Sequence, residues 1–511
     1  MAQAIVAGYG RSEWSLGRTL TRALAVMIAA LALSWAAALN GQPFVHPDTV
    51  GYTRGPDVAV MKLLGPRFAT AWAKTAEGPA ASHAATASGA KAGASDNDNE
   101  VLGGRSIYYG VLAYLGALTG GFWLTVFVQG LAVAMLVDIL LRGLRIASLS
   151  AYAGVMALLT LATPAPFFVG FIMPDIWAGV AIGALSALFA LPRRLNRVDM
   201  AVLAAMTAYA ALAHSSITPV LVVMTLAGGA IWLIRRKDRP SPALGLAVGA
   251  AAIVIALAGG MAFSAMVKHT VGKPPLNPPF LTARVIADGP GERYVREHCA
   301  AQPFAVCAYA DRLPLDVDHF LWGVTPKDGV FQTVTGADRR ALADQDARFA
   351  VAAARTYPLQ QLEASARNAA LQTVDTELSD FDYKPSLRAS FATTLPSAPY
   401  AAMQRTAAFR EVWPVQALWL LQSAVLLASL SAIGWMAAQP RKAGGAQLEP
   451  SDAMLLVALI IVGVVANGAV CGVFSTLYGR YQARVVWLLP MAAMLLTMVR
   501  VRARGAAERR A

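Results

Sequence analysis

Asp48 stands in HPDTVGY (46–52), directly after Pro47, with His46 two residues before it and Tyr52 four after it. Apolar sequence precedes this motif. A carboxylate at the edge of a low-dielectric region stays ionised when a cation is near, and can then take a proton from a hydroxyl as a general base. Capping a short helix is the plainer duty for the same residue. A second aspartate, Asp175 in FFVGFIMPDIWAG (167–179), follows Pro174, which frees backbone carbonyls and so favours a polar pocket. It too has helix capping as its alternative. His214, followed by Ser215 and Ser216, ends an apolar run, where it serves either a site or the local structure. YGRYQAR (478–484) sets Arg480 and Arg484 one helical turn apart around Tyr481. Two guanidinium groups on one helix face suit an anionic phosphate through bidentate hydrogen bonds, and the same Arg/Tyr pattern also anchors helices at a membrane interface. Arg105, just ahead of SIYY, offers a further cation of the same kind.

These residues sit at the ends of long apolar runs. Of 511 residues, 57% are hydrophobic and only 14% charged. Ordinary soluble domains carry roughly 25% charged residues, so a water-soluble globular enzyme is excluded. Windows of about 20 apolar residues, the length that crosses a hydrocarbon core, recur near 23–40, 121–141, 146–164, 169–191, 199–214, 217–234, 243–266, 415–437, 453–475 and 485–500. The expected fold is an all-α polytopic membrane protein of about ten transmembrane helices with a small, mostly helical outer domain. Its parts are an N-terminal membrane domain (1–266) with a first outer loop (41–120), an outer domain (267–413), and C-terminal membrane helices with a tail (414–511).

The net charge of +13 reads as topology rather than as a nucleic-acid surface. Nineteen of the 43 basic residues fall in segments that share one side with the N-terminus, whereas the short loops of the other side hold only Arg480 and Arg484. Both termini are therefore expected in the cytoplasm. The long segments 41–105 and 267–413 carry as many acids as bases and escape that rule. The first apolar stretch lacks a small-residue cleavage site, which makes it an uncleaved helix.

Within the outer segments, residues 56–74 have the pattern of an interfacial helix interrupted by Pro66, and 75–100 (Ala/Ser/Gly-rich, ending SDNDNE) cannot form a core and is expected to be disordered. GRSIYYGVLAYLGALTG (104–120) returns to the membrane as a short interfacial or re-entrant helix, and 337–372 is a polar helical stretch. Cys299 and Cys307, eight apart, suit a disulfide in an oxidising compartment, with two free buried thiols as the alternative; Cys471 lies in an apolar helix as a packing residue. The sequence contains no Walker loop, no zinc-type spacing and no evident internal repeat, which argues against an ATP-driven pump.

Together, Asp48 with Tyr52 after the first helix, Arg105 before the tyrosines of GRSIYYG, Pro174-Asp175 early in helix four, and Arg480-Tyr481 with Arg484 opening the last helix resemble the GT-C superfamily of integral-membrane glycosyltransferases. The likeness is to its family-39-like bacterial branch, the dolichyl-phosphate-mannose mannosyltransferase type. It covers about 20–235 and 415–500, and the 267–413 insert matches no familiar domain. The resemblance implies a bacterial inner-membrane enzyme that moves a sugar, with inversion, from a polyprenyl-phosphate carrier to a glycan, lipid or protein acceptor on the non-cytoplasmic face. It places the base on Asp48 and implies that Tyr52, Arg105, Asp175, Arg480, Tyr481 and Arg484 bind substrate, to which the reading of the residues themselves adds His46 and His214 as candidate substrate-binding groups. Many relatives pair two acids in the first loop, where this chain has Asp48-Thr49, so a divalent metal stays open as a cofactor. A lipid-linked-sugar flippase or transporter, or a polysaccharide polymerase, is the competing class; midplane charges and paired half-repeats would favour the transporter.

Overall fold

The computed structural model describes residues 17, 19–73, 101–234, 242–439 and 451–508. The disorder expected over 75–100 lies outside these residues, as do several of the basic residues that set the topology, among them Arg11, Arg235, Lys237 and Arg441. Among the described residues the chain is helical, with isolated bridges joining Phe44 to Phe171 and Leu102 to Leu276 but no β-strand.

The first half of the chain supplies α1 (Thr19–Asn40), α2 (Pro47–Leu64), α3 (Ile107–Leu118), α4 (Trp123–Gly143), α5 (Leu149–Ala162), α6 (Ile176–Ala190), α7 (Arg197–Ala213), α8 (Ile217–Ile234) and α9 (Ala243–Val271). The insert contributes α10 (Phe280–Ala287), α11 (Pro290–His298), α12 (Val317–Trp322), α13 (Gly336–Thr356) and α14 (Pro358–Val374). Three helices follow, α15 (Val415–Ala438), α16 (Asp452–Phe474) and α17 (Gly479–Ala503). Shorter helices at Ala165–Val169, Pro385–Thr394 and Ser397–Met403 lie between them.

Among the described residues seven helices are long and apolar enough to cross a membrane: α1, α4, α8, α9, α15, α16 and α17. This is consistent with an integral membrane protein. The expected runs 146–164 and 169–191 fold as the shorter α5 and α6, and 199–214 folds as α7, of 17 residues. Pro164, Pro166 and Pro174 break the chain between α5 and α6, because each lacks the N–H that a continuous helix requires. Every residue of α6 is buried. An all-round apolar helix enclosed by protein has no lipid thickness to match, so its length is set by its neighbours. Gly179 lies against Trp487 and Gly183 against Leu136, and Gly463 of α16 meets Ile182, each a contact that a side chain would obstruct.

The interfacial helix expected over 56–74 begins instead at Pro47. The Nδ1 of His46 accepts from the Asp48 amide at 3.3 Å, and Thr49 Oγ1 accepts from the His46 amide at 2.9 Å. The cap is therefore His46, and Pro47 takes the first helical position, where its missing N–H costs nothing. Pro56 inside α2 leaves the Tyr52 carbonyl without its helical partner, and α3 packs so closely there that a Cβ on Gly110 would lie 2.5 Å from that oxygen. The polar stretch 337–372 is two helices, broken at Tyr357-Pro358.

Two apolar cores form. Leu276 to Ala353 of the insert make the smaller one, braced by the Cys299–Cys307 disulfide with its Cα atoms 5.8 Å apart. Leu378, Phe381, Tyr383, Phe391 and Met403, later in the same insert, belong to the large core of the helix bundle. At the end of the bundle away from the insert, ion pairs tie Arg22 of α1 to Asp138 of α4, Arg142 of α4 to Asp199 of α7, and Arg194 between α6 and α7 to Asp452 of α16 at 2.8 Å.

Candidate functional site

Three stretches distant in sequence are laced together at the insert end. Phe44 exchanges backbone hydrogen bonds with Gly170 and Ile172, both 2.9 Å, and Thr49 Oγ1 donates to the Ile172 carbonyl at 3.0 Å. The Val45 amide donates to the Tyr383 hydroxyl at 2.9 Å, and the Phe381 ring stands 5.1 to 5.2 Å from those of Phe44, Phe167, Phe168 and Phe171. The main chain around residues 44–49, 167–175 and 380–383 is thereby fixed, and Asp48, Asp175 and Asp380 come to one end of the bundle.

Asp48 is ion-paired with Arg105, and the His46 Nδ1 lies 3.8 Å from its carboxylate. Its side chain is 26% exposed. Burial pushes the Asp48 carboxyl up, but the charges of Arg105, His46 and Arg480 together outweigh it and hold the group down at about 2. Burial, then the charge of Arg480, lowers His46 to about 3, so that it is a neutral ring near pH 7. Arg105 is set by the residue after it: Ser106 caps α3 by accepting from the Tyr108 amide at 3.2 Å and donates to the Leu212 carbonyl at 2.5 Å. The Arg105 guanidinium lies 5.8 Å from the Trp322 ring of α12. Tyr52, one turn along α2 from Asp48, is only 2% exposed and packs edge-on against Tyr109.

Arg480 opens α17 between the rings of Tyr478 and Tyr481, 5.3 and 5.1 Å away. It is 4% exposed, its Nη1 lies 3.9 Å from Asp380, and its Nε and Nη1 make no hydrogen bond among the described residues. Burial pushes the Asp380 carboxyl up, with Arg480 opposing.

Arg484, one turn on, has a different environment. It is fully buried; Nη2 donates to Asn467 at 2.9 Å and Ser216 at 3.0 Å and lies 3.3 Å from the Cys471 sulfur, Nε reaches Asn467 at 3.3 Å, and Nη1 stands 3.5 Å from Asp175. The two arginines expected to bind one phosphate therefore differ: every nitrogen of the Arg484 guanidinium has a protein partner, whereas Arg480 has donors without one. Asp175 makes no capping bond and is 2% exposed. His214 ends α7 and pairs its Nδ1 with the Ser216 hydroxyl at 2.8 Å, which joins it to Arg484.

The sequence-selected residues thus form two tiers. His46, Asp48, Arg105, Arg480 and Tyr481 make the outer one, with Tyr52 beneath Asp48, and Asp175, His214 and Arg484 make a closed inner one. Sequence reading passed over Asp380, one of sixteen acids in 267–413, and Trp322, one of eleven tryptophans. It also passed over Asn467, although an asparagine within the apolar run 453–475 is a visible anomaly. Among the described residues no three His, Cys, Asp or Glu side chains gather as a metal site requires. No protein family, curated protein or solved structure matches this chain. The outer tier can do two things: accept a proton at Asp48, and hold an anion with the unpaired N–H groups of Arg480.

Proposed function

We propose that this chain is a membrane glycosyltransferase of the GT-C type, which moves a sugar from a polyprenyl-phosphate carrier to a glycan, lipid or protein hydroxyl with inversion. The observation that carries this reading is the pairing of an ionised, quarter-exposed Asp48 with Arg105 beside Arg480, a buried cation with hydrogen-bond donors to spare. Desolvating an arginine without satisfying its donors is costly, so the arrangement suits a ligand that brings acceptor oxygens. In this reading the donor phosphate sits on Arg480 and competes with Asp48 for Arg105. That competition matters chemically, because a carboxylate held near 2 is a feeble base and gains basicity as its cation is drawn away. Asp48 then takes the proton of the acceptor hydroxyl, and the hydroxyl oxygen bonds to the anomeric carbon from the face opposite the phosphate. The bond from that carbon to the phosphate oxygen breaks, and its electron pair leaves on the polyprenyl phosphate. No general acid is needed, since a phosphate is a good leaving group whose charge the arginines stabilise.

The same proposal includes the placement. α5, α6 and α7 complete ten membrane passages, both termini are cytoplasmic, and the insert and the site face the non-cytoplasmic side of a bacterial inner membrane. The test is incubation of the purified protein in vesicles with a panel of radiolabelled polyprenyl-phosphate sugars. Sugar loss from one donor, abolished by Asp48→Asn, is expected. Movement of intact donor across the vesicle with no sugar loss from any carrier would identify a flippase instead.

A further inference from the structure

We propose that α14 is a re-entrant helix whose C-terminal half lies within the leaflet at the insert end, with its free apolar face against lipid hydrocarbon. This does not depend on the glycosyltransferase reading. The depth follows from α16. Asp452, paired with Arg194, marks one polar boundary of that helix. At 1.5 Å per residue a hydrocarbon core of about 30 Å ends roughly 20 residues later, near 472–474. α14 runs antiparallel to it in close contact: a Cβ on Gly472 would lie 2.5 Å from the Asn368 carbonyl, and one on Gly468 would lie 2.4 Å from Thr373 Oγ1. The helix therefore descends as it proceeds, and Val374 lies about 10 Å below the level at which α16 ends.

Residue types follow the same boundary. Glu363 and Arg367 are the last charges of α14, and NAALQTV (368–374) has none. The polar side chains of that half turn toward protein: Gln372 exchanges hydrogen bonds with the Tyr478 backbone at 2.8 and 3.0 Å, and Asn368 donates to Asp288 at 2.8 Å. What remains outward is apolar, with Leu371 45% and Val374 75% exposed. A valine so exposed beside a membrane-spanning helix fits hydrocarbon, whose contact demands nothing of it. The chain then turns through Asp375, Glu377 and Asp380. Backbone and carboxylates at membrane depth persist where they line water, so this turn borders water on the side of the exposed Glu377.

The test uses the full-length protein in phospholipid vesicles, with single nitroxide labels on Glu363→Cys, Leu371→Cys, Val374→Cys and Glu377→Cys. Only the introduced thiol reacts, because Cys471 is buried and Cys299 is bonded to Cys307. Collision with dissolved oxygen, which concentrates in lipid, is compared with collision with a water-soluble nickel chelate. The oxygen-to-nickel ratio should be several-fold higher at 371 and 374 than at 363 and 377. Nickel access at 371 and 374 equal to that at 363 would overturn the proposal, and a lipid-like ratio at 377 would overturn the water-lined turn. All four side chains are exposed, so a label at any of them displaces no packed group.

Discussion

The Asp48–Arg105 pair sets what each partner can do alone. Asp48→Asn keeps the size of the side chain but cannot accept a proton, and general-base catalysis contributes about 10²–10⁴ in rate. Turnover of a transferable donor should fall by that factor while donor binding persists; near-normal turnover would leave Asp48 as an electrostatic group only. The two arginines of α17 should separate by assay. Arg480→Ala removes a charge-assisted contact worth about 1.5–3 kcal/mol, or roughly 10- to 150-fold in donor affinity, with little loss of stability. Arg484→Ala strands the buried Asp175 and should cost about 3–5 kcal/mol in unfolding measured in detergent, much of it recovered in the apolar pair Asp175→Leu/Arg484→Met. Equal affinity losses in the two single variants would return them to a shared phosphate role. Asp48, Arg105 and Arg480 were legible because a charge at the edge of an apolar run stands out. The division of labour between Arg480 and Arg484 was not, because it is decided by Asn467, Ser216 and Asp175, which only the fold brings within reach.

At the scale of elements, α2 owes its start to a neutral histidine. The folded chain holds His46 at about 3, whereas the unfolded chain titrates near 6.5. As pH falls below 6.5 the unfolded state takes up a proton that the folded state refuses, so stability is lost between 6.5 and 3, by up to about 1.4 kcal/mol per pH unit from this group. Asn at position 46 is also a good cap and does not titrate. His46→Asn should therefore keep the helix and flatten the decline between pH 6.5 and 5, as read by thermal unfolding across that range; an unchanged slope would assign the decline to other groups. Helix starts of this kind are hard to read from sequence. The apolar and basic pattern of 56–74 masks the His46–Thr49 cap, and moving the start to Pro47 is what puts Asp48 and Tyr52 on one helix. The prolines at 164, 166 and 174 were visible, yet they did not reveal that α6 would be enclosed on all sides.

For the molecule as a whole, the insert is the least legible part, since its chain divides between two cores. Its first part folds around Phe320, Phe331 and Phe349, while Phe381 and Tyr383 are drawn into the bundle by the aromatic cluster around Phe44. Arg284 and Asp288 of the first part reach α14 and the loop ahead of α17: Asp288 accepts from Gln361 and Asn368, and Arg284 donates to the Ser475 carbonyl at 3.1 Å. The apolar runs gave the bundle, and the charge asymmetry of its loops gives a topology that reporter fusions can check. Fusions within 75–100 and 300–400 should report the non-cytoplasmic side, and those at 193–197 and 235–239 the cytoplasm. A cytoplasmic signal at 340 would invert the scheme, and with it the side on which any substrate is met.

The partnership of Asp175 with Arg484 spans 309 residues of chain, and that distance is also an interval during biosynthesis. At about 5–20 residues per second, the carboxylate of Asp175 waits roughly 15 to 60 seconds for its cation to leave the ribosome. Through that interval Asp175 lacks the Arg484 guanidinium that stands beside it in the finished bundle. A chain halted after residue 450 never receives Arg484, and pulse-chase labelling should show it degraded faster than the finished protein.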